Sequence, residues 1–201
     1  MASHQITGFV LAGGKSSRMG VDKAALSLNG RTLLEHALAA IRPVCEPVFI
    51  IGSRAVYSGF GPGYEDIISG CGPLGGVHAA LTHSQTELNL IIAVDTPFLT
   101  PELLRYLAER AADASCTVAA PRIAGHVQPL CAVYSRKFLP IAAVALQTGK
   151  YKLASLFLTE STLVITEPEL ERFAFTANMF ENLNTPEDLE RVRNATSEAK
   201  S

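Results

Sequence analysis

The stretch Leu88-Asn-Leu-Ile-Ile-Ala-Val94 is almost unbroken in its apolar character and stops abruptly at Asp95. A run of this kind reads as a central strand covered on both faces, because a strand with one wet face would alternate apolar and polar residues. The chain must therefore supply layers on both sides of a sheet. Its apolar runs do alternate with helical patterns along most of the length, which is how a parallel sheet with crossover helices reads. Ile6 to Ala12 is the first strand. Thr32 caps a helix whose Leu33, Leu34, Ala37, Leu38 and Ile41 share one face, and Pro43 stops it. Pro47 to Gly52 is the next strand.

A short extended piece at Tyr64 to Ile68 leads into Cys71-Gly-Pro-Leu-Gly-Gly76, which opens a helix running through Leu81. Beyond Asp95, Thr100-Pro-Glu starts another helix with a cap and a proline in its first turn. Cys116 to Ala120 and Leu130 to Tyr134 read as strands that need not be parallel to the rest, separated by a polar loop. Helices are expected at Lys137 to Gln147 and Lys152 to Leu158, strands at Thr162 to Thr166 and Phe180 to Leu183, and a closing helix at Thr185-Pro-Glu-Asp188. Residues 1–194 form one domain in this reading, and 195–201 a polar tail.

The chain has 201 residues, 48% of them hydrophobic and 18% charged, which suits one folded domain with a real core. A net charge of −2 provides no broad positive field, so nucleic-acid partners are disfavoured and a polyanion must be held by a local site. No run approaches the roughly 20 apolar residues that span a bilayer, and the first apolar run lacks a basic flank. A cytoplasmic protein without membrane contact is expected. Cys45, Cys71, Cys116 and Cys131 form no CxxC pair and no zinc spacing, so they read as reduced thiols.

The first strand runs into Leu11-Ala-Gly-Gly-Lys-Ser-Ser-Arg-Met-Gly-Val-Asp-Lys23. Gly13 and Gly14 let the backbone approach a ligand, with N–H groups turned toward phosphate oxygens. Lys15, Arg18 and Lys23 supply countercharge. Such a loop at the carboxyl end of a strand is where open α/β sheets bind ligands. A P-loop would need glycine where Phe9 stands, and the G-x-G-x-x-G spacing is absent. The competing reading is a basic surface loop.

Asp95 stands just past a buried strand, which puts its carboxylate at the same ligand-binding edge. Mg²⁺ takes oxygen ligands and often only one or two protein carboxylates alongside phosphate oxygens, so a single aspartate suffices. The alternative is that Asp95 merely caps the turn before Pro97. Asn182 and Asn184 alternate at a strand end and should share a face, unless Asn184 only caps the last helix. His36, His78 and His83 fall on helical patterns and read as packing or solvated residues. No Ser/His/Asp arrangement stands out.

The long glycine-rich segment resembles the signature of the molybdopterin nucleotidyltransferases, specifically the molybdenum cofactor guanylyltransferase (MobA) family within the NTP-transferase superfamily. Cys71-Gly-Pro-Leu-Gly-Gly76, Ala93-Val-Asp-Thr-Pro-Phe98 and Asn182-Leu-Asn-Thr-Pro-Glu-Asp188 resemble the same family in the same order. The resemblance implies a three-layer α/β/α, Rossmann-like nucleotidyltransferase (GT-A-like) fold with a mostly parallel sheet. It implies transfer of GMP from GTP to molybdopterin with Mg²⁺ as cofactor, with other molybdenum cofactor biosynthesis proteins as further partners. Leu11, Ala12, Gly13 and Gly14 would cradle the nucleotide, Arg18 and Lys23 would meet its β- and γ-phosphates, and Asp95 would hold the metal. Asp66 would contact the nucleoside, and Gly72, Pro73, Leu74 and Gly75 would position base and ribose, unless that turn is only a tight connection. Gln128, Asn182 and Asn184 would lie near the acceptor, with Arg122 and His126 in the same loop as Gln128.

One departure stands out. Guanine-selecting members often carry an asparagine at the end of the second long strand, where this chain has Ile51 and Gly52. A cytidylyltransferase for the same pterin and a sugar-1-phosphate nucleotidyltransferase therefore remain open, as does a nucleotide-sensing module without turnover.

Overall fold

The computed structural model describes residues 5–13 and 22–198. Strand β1 (Ile6–Leu11) is followed by a one-turn 3₁₀ segment at Lys23–Ala25 and a small hairpin of β2 (Ser27–Leu28) and β3 (Arg31–Thr32). Helix α1 (Leu33–Ile41) starts at a capping box in which Thr32 and Glu35 exchange side-chain and backbone hydrogen bonds. Then come β4 (Val48–Ile51), the one-turn α2 (Arg54–Tyr57), β5 (Gly63–Tyr64), α3 (Pro73–His83) and β6 (Leu88–Ala93). The second half holds α4 (Pro101–Ala114), β7 (Val118–Ile123), β8 (His126–Val127), β9 (Cys131–Ser135) and α5 (Leu139–Gln147). It closes with β10 (Thr162–Ile165), α6 (Glu167–Glu171) and α7 (Pro186–Glu198), which continues past Asn194.

The main sheet runs β10-β7-β9-β6-β1-β4-β5, with β8 paired to β7. Every neighbouring pair along that order is parallel except those made by β9, which runs against both β6 and β7. The period of two in β1 divides its side chains between two cores. Val10 joins α1, α4 and α7 on one face through Leu34, Leu38, Leu103, Leu107 and Leu189. Phe9 and Leu11 join α3 and α5 on the other through Leu74, Val77, Leu81, Ala142 and Leu146. β6 feeds both, with Leu90 and Ile92 to one side and Ile91 to the other, all fully buried. The chain thus folds as three α/β/α layers around a mostly parallel sheet, and its unbroken apolar strand lies in the middle.

Three expectations are corrected. Lys152 to Leu158 is not a helix but a 3₁₀ turn at Leu153–Leu156. The segment has no side-chain cap at Lys152, and its shape is set by packing, with Leu153 buried and the Phe157 ring edge-on to Phe138. Phe180 to Leu183 is not a strand. A 3₁₀ turn at Ala177–Phe180 precedes an extended stretch held through the Leu183 N–H to the Asp95 carbonyl oxygen, 2.8 Å. Of Tyr64 to Ile68, only Tyr64 belongs to a strand, β5; Ile67 and Ile68 are exposed. Cys71, in the glycine-rich turn, is buried, and burial pushes the Cys45 thiol up to about 12, so neither sits as a reactive surface thiol.

Candidate active site

Because β1, β4, β5, β6 and β7 share one direction, their carboxyl ends make a single edge. The segments after β1, β4, β5 and β6 and the β7–β9 connection all gather there. Val94 N–H donates to the Leu11 carbonyl and Ala93 N–H to the Leu130 carbonyl, which ties three of these segments together just before Asp95.

Lys23 and Asp95 meet across this edge. Lys23 Nζ lies 3.3 Å from Asp95 Oδ2 and donates to Asn184 Oδ1 at 2.7 Å. The two side chains of the ion pair are 25% and 21% exposed, so each remains reachable from solvent. A pair this wet contributes only about 0–1 kcal/mol to stability, so its convergence is poorly explained as a structural brace. Asn184 does not cap the final helix. That role falls to Thr185, whose hydroxyl oxygen accepts the Asp188 N–H while the Asp188 carboxylate accepts the Asn184 and Thr185 N–H groups. Asn182 is exposed on the same extended stretch.

The two ends of the first loop are held close together. Ala12 and Gly13 N–H both donate to the Ile51 carbonyl, at 2.9 and 3.0 Å. Those two amides are therefore engaged with β4. Gly14, Lys15 and Arg18 lie outside the described residues. At the far end, Asp22 Oδ1 accepts the Ala24 N–H and so caps the 3₁₀ turn that begins with Lys23. The Tyr57 hydroxyl from α2 stands 2.8 Å from Asp22 Oδ2 and 3.2 Å from the Ala12 carbonyl oxygen. Burial, and then the Asp22 hydrogen bond, push the Tyr57 hydroxyl's pKa up, which keeps it protonated as a donor.

Gly52 makes this packing feasible. A Cβ there would stand 2.7 Å from the Tyr57 ring and 3.1 Å from Gly13 N, so no side chain fits. Ile51 is buried in the core on the α3 side. The asparagine of guanine-selecting relatives thus has no equivalent side chain at either position.

The turn before α3 packs against Leu11 at the end of β1 and against Asp66. Gly72 is the helix N-cap with φ +59°, Pro73 occupies the first turn, and Leu74 is fully buried. A Cβ on Gly75 would come 3.0 Å from the Ile68 carbonyl oxygen, and one on Gly76 would come 3.2 Å from Leu11 Cδ1. The Asp66 carboxyl lies beside these glycines at the helix start, and the protein around it pushes its pKa upward through desolvation. Gln128 sits in the β8–β9 connection on the same edge. Its backbone N–H donates to the Pro121 carbonyl at 2.8 Å, and its side-chain amide donates to the His126 carbonyl at 3.2 Å. Of the histidines, His36 contacts the Leu28 carbonyl at 2.9 Å and His83 stacks on Tyr64 with ring centroids 3.9 Å apart, which are packing roles.

Mg²⁺ fits the donors present. Asp95 Oδ2 and Asn184 Oδ1 are both oxygens, they converge on one cation, the Lys23 ammonium, and they stay partly open to solvent. No cluster of three or more His, Cys, Asp or Glu occurs among the described residues, so a metal here would rest on few protein ligands.

Sequence reading missed Asp22 and Tyr57. Asp22 was visible beside Lys23 in the glycine-rich segment, but its capping role depends on the local turn. Tyr57 carried no signal, since a one-turn helix far along the chain brings it to the loop.

Residues 8–162 match the family of MobA-like NTP transferase domains. A protein of Pelotomaculum thermopropionicum named "Probable molybdenum cofactor guanylyltransferase" is 35% identical over 192 residues, covering 94% of this chain and 92% of that one. The molybdenum cofactor guanylyltransferase of Photobacterium profundum is 31% identical over 194 residues, covering 94% and 96%. Among solved structures, molybdopterin-guanine dinucleotide biosynthesis protein A of Archaeoglobus fulgidus superposes with a TM-score of 0.81 at 26% identity, covering 96% of this chain and 99% of that one. A 2-C-methyl-D-erythritol 4-phosphate cytidylyltransferase of Thermus thermophilus shares the fold with a TM-score of 0.67 at 17% identity, covering 94% and 98%. Sequence and architecture agree over nearly the whole chain, which belongs to the MobA-like NTP transferase family.

Proposed function

We propose that this chain is a molybdenum cofactor guanylyltransferase, moving GMP from GTP onto the terminal phosphate of molybdopterin and releasing pyrophosphate. The observation that carries the reading is the meeting of Lys23 with Asp95 and Asn184 at the carboxyl edge of the sheet, beside the glycine-rich loop. The names of the relatives support the choice of substrates.

In this reaction a phosphate oxygen of the acceptor attacks the α-phosphorus of GTP, the bond to the β-phosphate breaks, and the electron pair leaves with pyrophosphate. The acceptor is already a phosphate monoester, so no strong general base is required. The work is positioning and charge neutralisation. Lys23 and Arg18 neutralise the β- and γ-phosphates, the loop that starts at Leu11, Ala12, Gly13 and Gly14 encloses the triphosphate, and the Gly72-Pro73-Leu74-Gly75 turn bears on base and ribose. Asp66 faces the nucleoside, and Gln128, Asn182 and Asn184 line the acceptor's side. Asp95, with Asn184 nearby, would hold Mg²⁺, which supplies further neutralisation of the triphosphate when bound. A cytoplasmic location agrees with the lack of any helix long and apolar enough to cross a membrane among the described residues.

The test is pyrophosphate release by the purified chain with Mg²⁺, a molybdopterin acceptor, and GTP, CTP or UTP in turn. The expected outcome is release with GTP. Preference for CTP would move the chain to the cytidylyltransferase reading that Ile51 and Gly52 keep open, and binding without release would leave a sensing module.

A further inference from the structure

Within the enzymatic reading, the first loop must present Lys23 to Asp95, and its two ends lie among the described residues. At its entry, Ala12 and Gly13 are hydrogen-bonded to β4. At its exit, Asp22 starts the turn from which the Lys23 side chain reaches out. The two ends share one side chain: the Tyr57 hydroxyl contacts the Ala12 carbonyl oxygen at 3.2 Å and Asp22 Oδ2 at 2.8 Å.

We propose that Tyr57 is a positioning residue that clamps the two ends of this loop and thereby sets Lys23 for transfer. The linkage is short and explicit. The hydroxyl fixes one oxygen of Asp22, the other oxygen accepts the Ala24 N–H, and that bond caps the 3₁₀ turn whose first residue is Lys23. The ring reaches this place because Gly52 has no side chain to block it. Tyr57 is itself buried and lines a cavity of about 440 Å³ together with Ser53, Arg54 and Pro62. The Tyr57 hydroxyl bonds to Asp22 and Ala12 rather than to Lys23 or Asp95 among the described residues, so its effect must pass through Asp22.

This inference rests on the proposed transfer activity, and a double-mutant cycle separates the two. Turnover is measured for the unmodified chain, Tyr57→Phe, Lys23→Ala and the double variant, each below its own melting midpoint. Tyr57→Phe is expected to lower kcat about tenfold, the equivalent of one lost hydrogen bond in a transition state, and less than about twofold once Lys23 is already alanine, because coupled residues are not additive. Asp22→Ala, which removes both the oxygen facing Tyr57 and the oxygen that accepts the Ala24 N–H, should reproduce the Lys23-dependent loss. Equal losses in both backgrounds, or no loss in either, overturn the positioning role while leaving the activity intact. An unmodified chain that transfers no GMP overturns the functional reading, and this inference with it.

Discussion

In the proposed reading, the nucleotide side and the acceptor side of the sheet edge are built differently. On the nucleotide side, groups far apart in sequence touch directly: Lys23 reaches Asp95 and, across to the acceptor's side, Asn184, and Tyr57 reaches Ala12 and Asp22. On the acceptor side, Gln128 spends its side-chain amide on the His126 carbonyl two residues away, and the loop closes on itself through the Tyr134 hydroxyl to the Pro129 carbonyl at 2.6 Å. The first arrangement fixes charged groups against one another before any ligand arrives. The second fixes a loop and leaves its outer surface for a ligand to use. Preorganised charge should dominate turnover, and the self-bonded loop should tune acceptor affinity.

The largest break in that contrast should come from the charged pair. Asp95→Ala and Lys23→Ala are each expected to lower turnover by about 10²-fold or more, with melting midpoints close to that of the unmodified chain because the pair is partly exposed. Steady-state kinetics alongside thermal melts check both halves of the statement. Near-normal transfer in both variants would reject the site.

Gly52→Ala probes the contact beneath the nucleotide side. The new Cβ must displace the Tyr57 ring or the Gly13 backbone, an overpacking cost of about 1–3 kcal/mol. Both the melting midpoint and turnover should fall, whereas an unchanged protein would show that the loop and ring are looser than described. Gln128→Ala should be milder: KM for the acceptor rises about two- to tenfold, the worth of one hydrogen bond, with kcat and KM for GTP nearly constant. A fall in kcat instead would erase the difference between the two sides.

The smallest effect belongs to Asp66. Its pKa is raised above the ordinary aspartate value of 3.8 by desolvation, so the native protein binds the proton more tightly than the unfolded chain does. The stability that comes with the protonated form is full below 3.8 and is lost as pH rises through the raised native value. Asp66→Asn should therefore raise the melting midpoint slightly at pH 7 and leave it unchanged near pH 3, while weakening GTP binding. A shift of equal size at both pH values would discard desolvation as the cause.

Much of the fold was legible because it is written locally. The apolar run at Leu88 to Val94, the Thr32 and Thr100 caps and the proline in the first turn of α4 all report on neighbours within a few residues, and the structure places elements there. Lys152 to Leu158 and Phe180 to Leu183 misled for the converse reason. Their shapes come from Phe138 and from the Asp95 carbonyl, partners that a local pattern cannot display.

The same division runs through the site. The amino-acid sequence by itself determined that a glycine-rich basic loop and a strand-end aspartate exist at the same edge, since parallel strands send all their carboxyl ends one way. Only the tertiary structure decided that Lys23 would meet residues 72 and 161 positions away, and that a tyrosine from a one-turn helix would pin both ends of the loop. Those contacts depend on how the sheet stacks β4 and β6 on either side of β1, and the angle and spacing of strands is a property of the whole packed core.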